Sequence, residues 1–304
     1  MLPENYKNEK GQALLIVLLA MAVILTIVLS ISSRSITEIK MSEYEESSAR
    51  ALSAAEAGIE EVLIAGSDLS GTLPNNATYT TTVKLITPSG NAFVYPEGIE
   101  AGESVAFWFV SHNPDGDLIC TGEACFQGDK MRFCWGSSGV PESALELIFF
   151  YDSDANRPWE PPDKDFSNVK VKRLAYDPLS ATRTPSNNFS ATDTSTTCTL
   201  SGAVFAYQTP EIDLSNTFNG ICDPSITAGC LLMVKARLFY NEDNKQLIGI
   251  STPNSVGPLP PQGAQIDSTG SFSDATRRVN VYRSYPSPPD VFDSAIFSYS
   301  NIVK

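Results

Sequence analysis

The acidic run that begins at Asp152 has the spacing of oxygen ligands in a cation loop. Asp152, Asp154 and Asn156 alternate along the chain, and Glu160 follows. Oxygen ligands at alternate positions resemble the start of a calcium loop. Arg157 stands where such a loop has its central glycine, so a solvated acidic hairpin loop is the competing interpretation. Calcium is the one cofactor that the sequence suggests.

Six cysteines could form disulfides or a metal site. They lie at Cys120, Cys125, Cys134, Cys198, Cys222 and Cys230. The spacing contains no CxxC pair, and a single histidine cannot complete the usual zinc ligand sets. We therefore expect three disulfides. Many connectivities are possible, and the one favoured pair is Cys222–Cys230, because a short loop containing Pro224 and Gly229 separates the two residues.

Groups that could support catalysis are scarce. The only histidine, His112, lies beside a turn without a GxSxG nucleophile motif, and we expect an isolated surface side chain. The sequence therefore predicts no enzyme. The chain has 35 acidic against 21 basic residues and a formal net charge of −14. Phosphate backbones repel such a chain, so no nucleic-acid partner is expected.

A long apolar run lies near the N-terminus and precedes all the candidate residues above. Residues Ala13 to Ile31 carry no charge, and about 20 apolar residues suffice to cross a bilayer as a helix. We predict a membrane span. A buried core helix and a cleaved secretory signal are the alternatives, although the apolar region of such a signal is shorter. Apolar and alanine residues continue at helical spacing to Ala65, so an amphipathic half follows the span, and Gly66 ends it. The small residues of this half form a side thin enough for close packing, and they are Ala51, Ala54, Ala55, Ala57 and Gly58.

The rest of the chain has the pattern of strands and turns. Prolines are absent between Pro3 and Pro74 and frequent afterwards. The sequence lacks the alternation of strands and helices that is typical of a parallel sheet. We therefore predict an α+β fold whose long helix packs on an antiparallel β-rich domain. The windows with strand character are Thr78–Ile86, Val105–Val110, Met131–Trp135, Leu145–Tyr151, Val169–Ala175, Ala203–Tyr207, Leu231–Tyr240, Leu247–Ser251 and Arg278–Arg283.

The N-terminal residues resemble a known family. A short hydrophilic leader ends at Gly11 and is followed by Gln12 and the apolar run, which is similar to the class III signal of type IV pilins and type II secretion pseudopilins. The stretch Arg50–Glu61 resembles the corresponding region of PilX-type minor pilins. The resemblance covers residues 7–65, and a looser one covers Ile266–Gly270, Arg277–Val281 and Phe292–Ser298.

The resemblance implies a processing site, partners and a location. A prepilin peptidase would cut between Gly11 and Gln12 at the cytoplasmic face, leaving residues 1–11 as leader, 12–66 as helix and 67–304 as external domain. The external domain would hold the cysteines, which suit an oxidising compartment. The chain would cross the cytoplasmic membrane once, then join other pilin-like subunits at the cell surface through its helix.

One position departs from the pattern of major pilins. Those subunits carry a glutamate fifth after the cut, and here that position is Ile16. The resemblance therefore implies a minor pilin or pseudopilin-like subunit that primes or caps a filament. The alternative is a surface adhesin that stays anchored in the membrane with its N-terminus uncut.

Overall fold

The first described element is a single long helix. A computed structural model describes residues 12–88, 90–139, 141–154, 156–193, 195 and 197–293. Helix α1 runs from Gln12 to Ala65 without interruption. Gly66 ends it, because its φ of +73° leaves the helical region and its amide donates to the Val62 carbonyl oxygen at 2.8 Å. The predicted end of the helix is therefore confirmed.

The described chain divides into two compact units. The first contains residues up to Val83 together with Ile266–Val281, and the second contains Lys84–Gln265 and the residues from Tyr282 onwards. Besides α1, the first unit has a four-stranded sheet in the order β1-β2-β17-β18. Its strands are β1 (Leu69–Thr72), β2 (Thr78–Leu85), β17 (Gly263–Phe272) and β18 (Ala275–Ser284).

The second unit is built mainly from two sheets. One has the order β10-β9-β8-β15-β4, and the other has the order β13-β7-β16-β3 with β14 beside β7. Two short pairs, β5–β6 and β11–β12, complete it. The strands are β3 (Ala92–Val94), β4 (Ser104–Trp108), β5 (Ser111–His112), β6 (Leu118–Ile119), β7 (Lys130–Trp135), β8 (Ala144–Asp152), β9 (Val169–Asp177), β10 (Ser190–Ala191), β11 (Cys198–Leu200), β12 (Ala203–Phe205), β13 (Tyr207–Gln208), β14 (Ile212–Asp213), β15 (Leu231–Phe239) and β16 (Ile248–Ser251).

Strand β15 is an inner strand of the sheet with the order β10-β9-β8-β15-β4. It pairs antiparallel with β8 on one side and with β4 on the other. Its residues are almost all buried, and the core around it is rich in aromatic side chains such as Phe107, Phe133 and Phe149. Helix α2 (Leu214–Thr217) buries Leu214 in the same core, and a 3-10 helix covers Asp290–Asp293.

The predicted fold class is confirmed, with two corrections of detail. The chain is α+β and its sheets are largely antiparallel, but β10 pairs with β9 in parallel. Strand β17 was not among the predicted windows. Its sequence contains two glycines, an aspartate and two serines, which are poor strand formers, so its position in the sheet depends on tertiary contacts.

Candidate functional site

The N-terminal half of α1 presents an apolar surface without a partner in the described chain. Its large side chains between Leu14 and Ile31 are 49–66% exposed. The helix is long and apolar enough to cross a membrane. An exposed apolar surface of this extent is unfavourable in water and indicates contact with lipid or with another protein.

The C-terminal half of the same helix is packed instead. Ala51, Ala54 and Ala55 are fully buried, and Ile59 and Val62 join a cluster with Ile266 of β17. The sequence predicted that the small residues form a side for close packing, and this is confirmed. Larger apolar residues at helical spacing stay exposed, and these are Ile36, Ile39, Leu52 and Leu63.

Glycine at position 58 is required by the sheet beneath it. A Cβ carbon there would lie 2.5 Å from Thr81 Oγ1 and 2.7 Å from Ser268 Oγ, closer than real Cβ contacts. These two hydroxyls are buried and hydrogen-bonded to each other at 2.8 Å. The glycine of the stretch Arg50–Glu61 therefore has a packing role, because the helix lies against a polar pair on β2 and β17.

Polar contacts orient the helix on this sheet. Tyr79 of β2 donates its hydroxyl proton to Glu61, and this hydrogen bond and the nearby carboxylate raise the pKa of Tyr79. The Arg277 guanidinium donates to Ser48 Oγ at 2.7 Å. Because hydrogen bonds are directional, these contacts add rotational specificity to the apolar packing of α1.

The predicted processing site lies at the edge of the described chain. Gly11 and the rest of the leader, residues 1–11, are outside the described residues, whereas Gln12 is the first residue of α1. Ile16 follows one turn later with an exposed side chain. The first acidic residue in the helix is Glu38, so the apolar half offers no carboxylate to a neighbouring chain.

The predicted calcium loop uses its carboxylates internally. Asp152 is buried, and its Oδ1 accepts from the Asp154 amide at 2.9 Å. Asp154 accepts in turn from the Asn156 amide at 2.9 Å. Burial raises the pKa of Asp152, whose Oδ2 has no hydrogen-bond partner among the described residues. This arrangement is a chain of turns that side-chain oxygens stabilise.

Glu160 is directed to a different part of the second unit. Its Oε1 accepts from the amides of Cys120 at 2.6 Å and Thr121 at 3.1 Å, and Arg157 lies 3.3 Å from the same oxygen. Burial opposes ionisation, yet the hydrogen bonds from Thr121 and Cys120 keep the pKa of Glu160 below its ordinary value. Across the described ranges, no group of three or more His, Cys, Asp or Glu residues could hold a metal. Calcium binding stays a prediction.

All six cysteines are joined in disulfides. The pairs are Cys120–Cys125, Cys134–Cys198 and Cys222–Cys230. The last is the pair that the sequence favoured. The second spans 64 residues and brings β7 next to β11, a pairing that no local feature of the sequence indicated.

His112 is not the isolated surface residue that the sequence predicted. Its ring stacks on Tyr285 with centroids 3.8 Å apart and meets the edge of Trp108 at 4.5 Å. Burial among these rings lowers the pKa of His112 to about 4. Its Nδ1 has no hydrogen-bond partner in the described chain. Such an imidazole is neutral at physiological pH and acts here as an aromatic packing group.

Comparisons with known proteins identify no relative of this chain. No protein-family model matches the chain, and no curated protein matches it at a significant level. The layout, a long N-terminal apolar helix packed on an antiparallel sheet, is nevertheless one that fits a pilin-like subunit.

Proposed function

We propose that this chain is a minor pilin or pseudopilin-like subunit of a type IV pilus or type II secretion-like filament, in which it primes or caps assembly. The observation that carries this proposal is the division of α1 into two halves. One half exposes its apolar side chains, whereas the other is buried on the subunit's own sheet.

The division of the helix suits a subunit that passes from membrane to filament. In the membrane, lipid covers the apolar half. In a filament, the same surface packs against the helices of other subunits, which replace lipid by equally apolar neighbours. The packed half keeps the helix attached to the sheet during this transfer, because Gly58 and the buried alanines give it a close fit.

Processing provides the first test. The chain is purified from membranes and its N-terminus is sequenced. The proposal expects cleavage between Gly11 and Gln12, so that the mature chain begins at Gln12. A chain that keeps Met1 would overturn the proposal and favour the permanently anchored surface protein.

Helix contacts provide the second test. A photo-crosslinking amino acid replaces Leu18, which is 60% exposed on the apolar half of α1. A matched variant carries it at Ile226, an apolar residue that is 79% exposed in the loop between Cys222 and Cys230. We expect crosslinks from position 18 to the helices of other pilin-like subunits and none to those helices from position 226. Crosslinks to lipid alone at position 18 would contradict assembly.

A further inference from the structure

A buried lysine lies on an inner strand of the second unit, in the sheet that contains β8, β15 and β4. Lys235 belongs to β15, and its side chain is 1% exposed. It is the one buried lysine among the described residues. Its neighbours across the sheet are Ala106 of β4 and Ile148 of β8. Isolated ammonium groups are strongly disfavoured at such a position, so its partners determine what it does.

Those partners come from one short segment near the C-terminus. Lys235 Nζ lies 2.5 Å from Asp293 Oδ2 and 2.8 Å from Asp290 Oδ1, and it donates to the Pro288 carbonyl oxygen at 2.8 Å. The Asp293 side chain is 2% exposed, whereas that of Asp290 is 52% exposed. An amine, a buried carboxyl group and a second, half-exposed carboxylate are therefore in mutual reach.

No other lysine ion pair in the described chain is comparably buried. Lys130 lies 2.6 Å from Glu211, but their side chains are 34% and 42% exposed. The Lys164 and Lys245 side chains, which pair with Asp117 and Glu100, are themselves more exposed, at 52% and 66%. The pair Lys235–Asp293 thus differs from Lys130–Glu211 in the exclusion of water, while the N–O distances are similar, 2.5 against 2.6 Å.

We propose that Lys235 and Asp293 condense into an intramolecular isopeptide bond, with Asp290 as the catalytic carboxylate. The proposal concerns the second unit and does not rest on the proposed assembly function. The bond would join the inner strand β15 covalently to the 3-10 helix Asp290–Asp293.

The reaction needs no external reagent. The ammonium proton passes from Lys235 to Asp293 along their hydrogen bond, which gives a neutral amine and a carboxylic acid. The amine nitrogen attacks Cγ of Asp293 and forms the C–N bond. Asp290 accepts the second proton from nitrogen and returns it to the leaving hydroxyl. The C–O bond breaks and one water leaves, so an ammonium and a carboxylate become an amide and water, and Asp290 is unchanged.

Two physical effects favour this condensation. The reacting groups are held together by the fold, and well-oriented intramolecular reactions reach effective molarities of about 10⁵–10⁸ M. The product also removes the charges of Lys235 and Asp293 from a dry site, where a buried ion pair is costly. The remaining charge, on Asp290, is half exposed and hydrogen-bonded to Ser104 Oγ at 2.6 Å.

Peptide mapping of the full chain tests the proposal. The protein is purified in detergent, reduced, alkylated and digested with trypsin. An acylated Lys235 resists cleavage, so we expect residues 184–237 joined to residues 284–304 in one branched peptide, lighter than the sum of the two by one water. Separate linear peptides with cleavage after Lys235 would overturn the proposal. The Lys130–Glu211 pair is the internal control and should yield linear peptides only.

Two variants distinguish formation of the isopeptide bond from a non-covalent contact between Lys235 and Asp293. Asp293→Asn should form the same bond with loss of ammonia, so that its branched peptide has the same mass as that of the natural chain. Asp290→Ala keeps Lys235 beside Asp293 but lacks the base, and we expect linear peptides. A branched peptide formed equally well by Asp290→Ala would overturn the catalytic role of Asp290. Linear peptides alone from Asp293→Asn would overturn the proposed condensation at this position.

Discussion

Gly270 of β17 lies directly against the backbone of Ala51 in α1. A Cβ carbon at position 270 would be 2.0 Å from the Ala51 carbonyl oxygen and 2.5 Å from the Ala55 amide nitrogen. The obstacle is main chain, which cannot move aside as a flexible side chain can. The sheet and helix of the first unit therefore approach each other as closely as two backbones allow at this point.

Replacing this glycine should separate the helix from its sheet. We expect Gly270→Ala to lower the free energy of unfolding of the first unit by about 1–3 kcal/mol or more, because the added methyl group overpacks the contact. Hydrogen exchange of the full chain in detergent would measure this as faster exchange of the amides in residues 51–62. As a control, Thr276→Ala on the exposed side of β18 should change exchange little. Unaltered protection in Gly270→Ala would contradict the close contact.

The three disulfides should differ in their contributions to stability. Cys134–Cys198 closes a loop of 64 residues, and Cys120–Cys125 closes one of 5. In the chain-entropy model, removing the former costs about 4 kcal/mol and the latter about 2 kcal/mol. All three tryptophans lie in the second unit, so denaturant unfolding followed by tryptophan fluorescence compares the two Cys→Ala double variants. A larger loss in the Cys120/Cys125 variant would reverse the expected order.

The stability of the second unit should depend on the protonation of His112. Burial lowers its pKa from 6.5 to about 4. Below pH 6.5 the unfolded chain binds a proton that the folded chain accepts only near pH 4. The contribution of the neutral His112 to the stability of the second unit is therefore fully present above pH 6.5, and it is lost as the pH falls from there to about 4.

His112→Phe isolates this effect, because the phenyl ring preserves an aromatic group against Tyr285 without a titrating nitrogen. The denaturant midpoint, followed by tryptophan fluorescence, should fall less in this variant than in the natural chain between about pH 7.5 and about pH 5. Other groups, such as Asp152, titrate alike in both proteins. Equal losses in the two would show that the imidazole is not responsible.

Under the proposed assembly function, the isoleucine at position 16 predicts that this chain is a rare component of the filament. A carboxylate at this position would pair with the N-terminal ammonium of a neighbouring subunit, and an unpaired charge in an apolar interior is costly. A terminal subunit needs only one neighbour and tolerates the missing pair. Quantitative mass spectrometry of sheared filaments should find this chain far below the dominant subunit. A copy number equal to that of a glutamate-bearing subunit would exclude priming or capping.

Local sequence determined the elements whose signal is contained in a short stretch. The bounds of α1 follow from an unbroken helical pattern that ends at Gly66, and the strand windows from Val105 to Ser251 follow from residues with strong strand propensity. The Cys222–Cys230 disulfide was likewise predictable from local sequence, because the two cysteines are only eight positions apart and their sulfurs stay near each other.

Tertiary structure alone decided the features that depend on residues far apart in the chain. Strand β17 has weak propensity and forms because β2 and β18 lie on either side of it. The small-residue side of α1 is visible in the sequence, but its partner is not, because only the folded chain brings Gly270 of β17 against Ala51. Lys235 lies in a window that reads as an ordinary strand, and its burial depends on Asp290 and Asp293 more than 50 residues later. Charge compensation over such a separation leaves no local pattern, since only the folded chain brings the partners together.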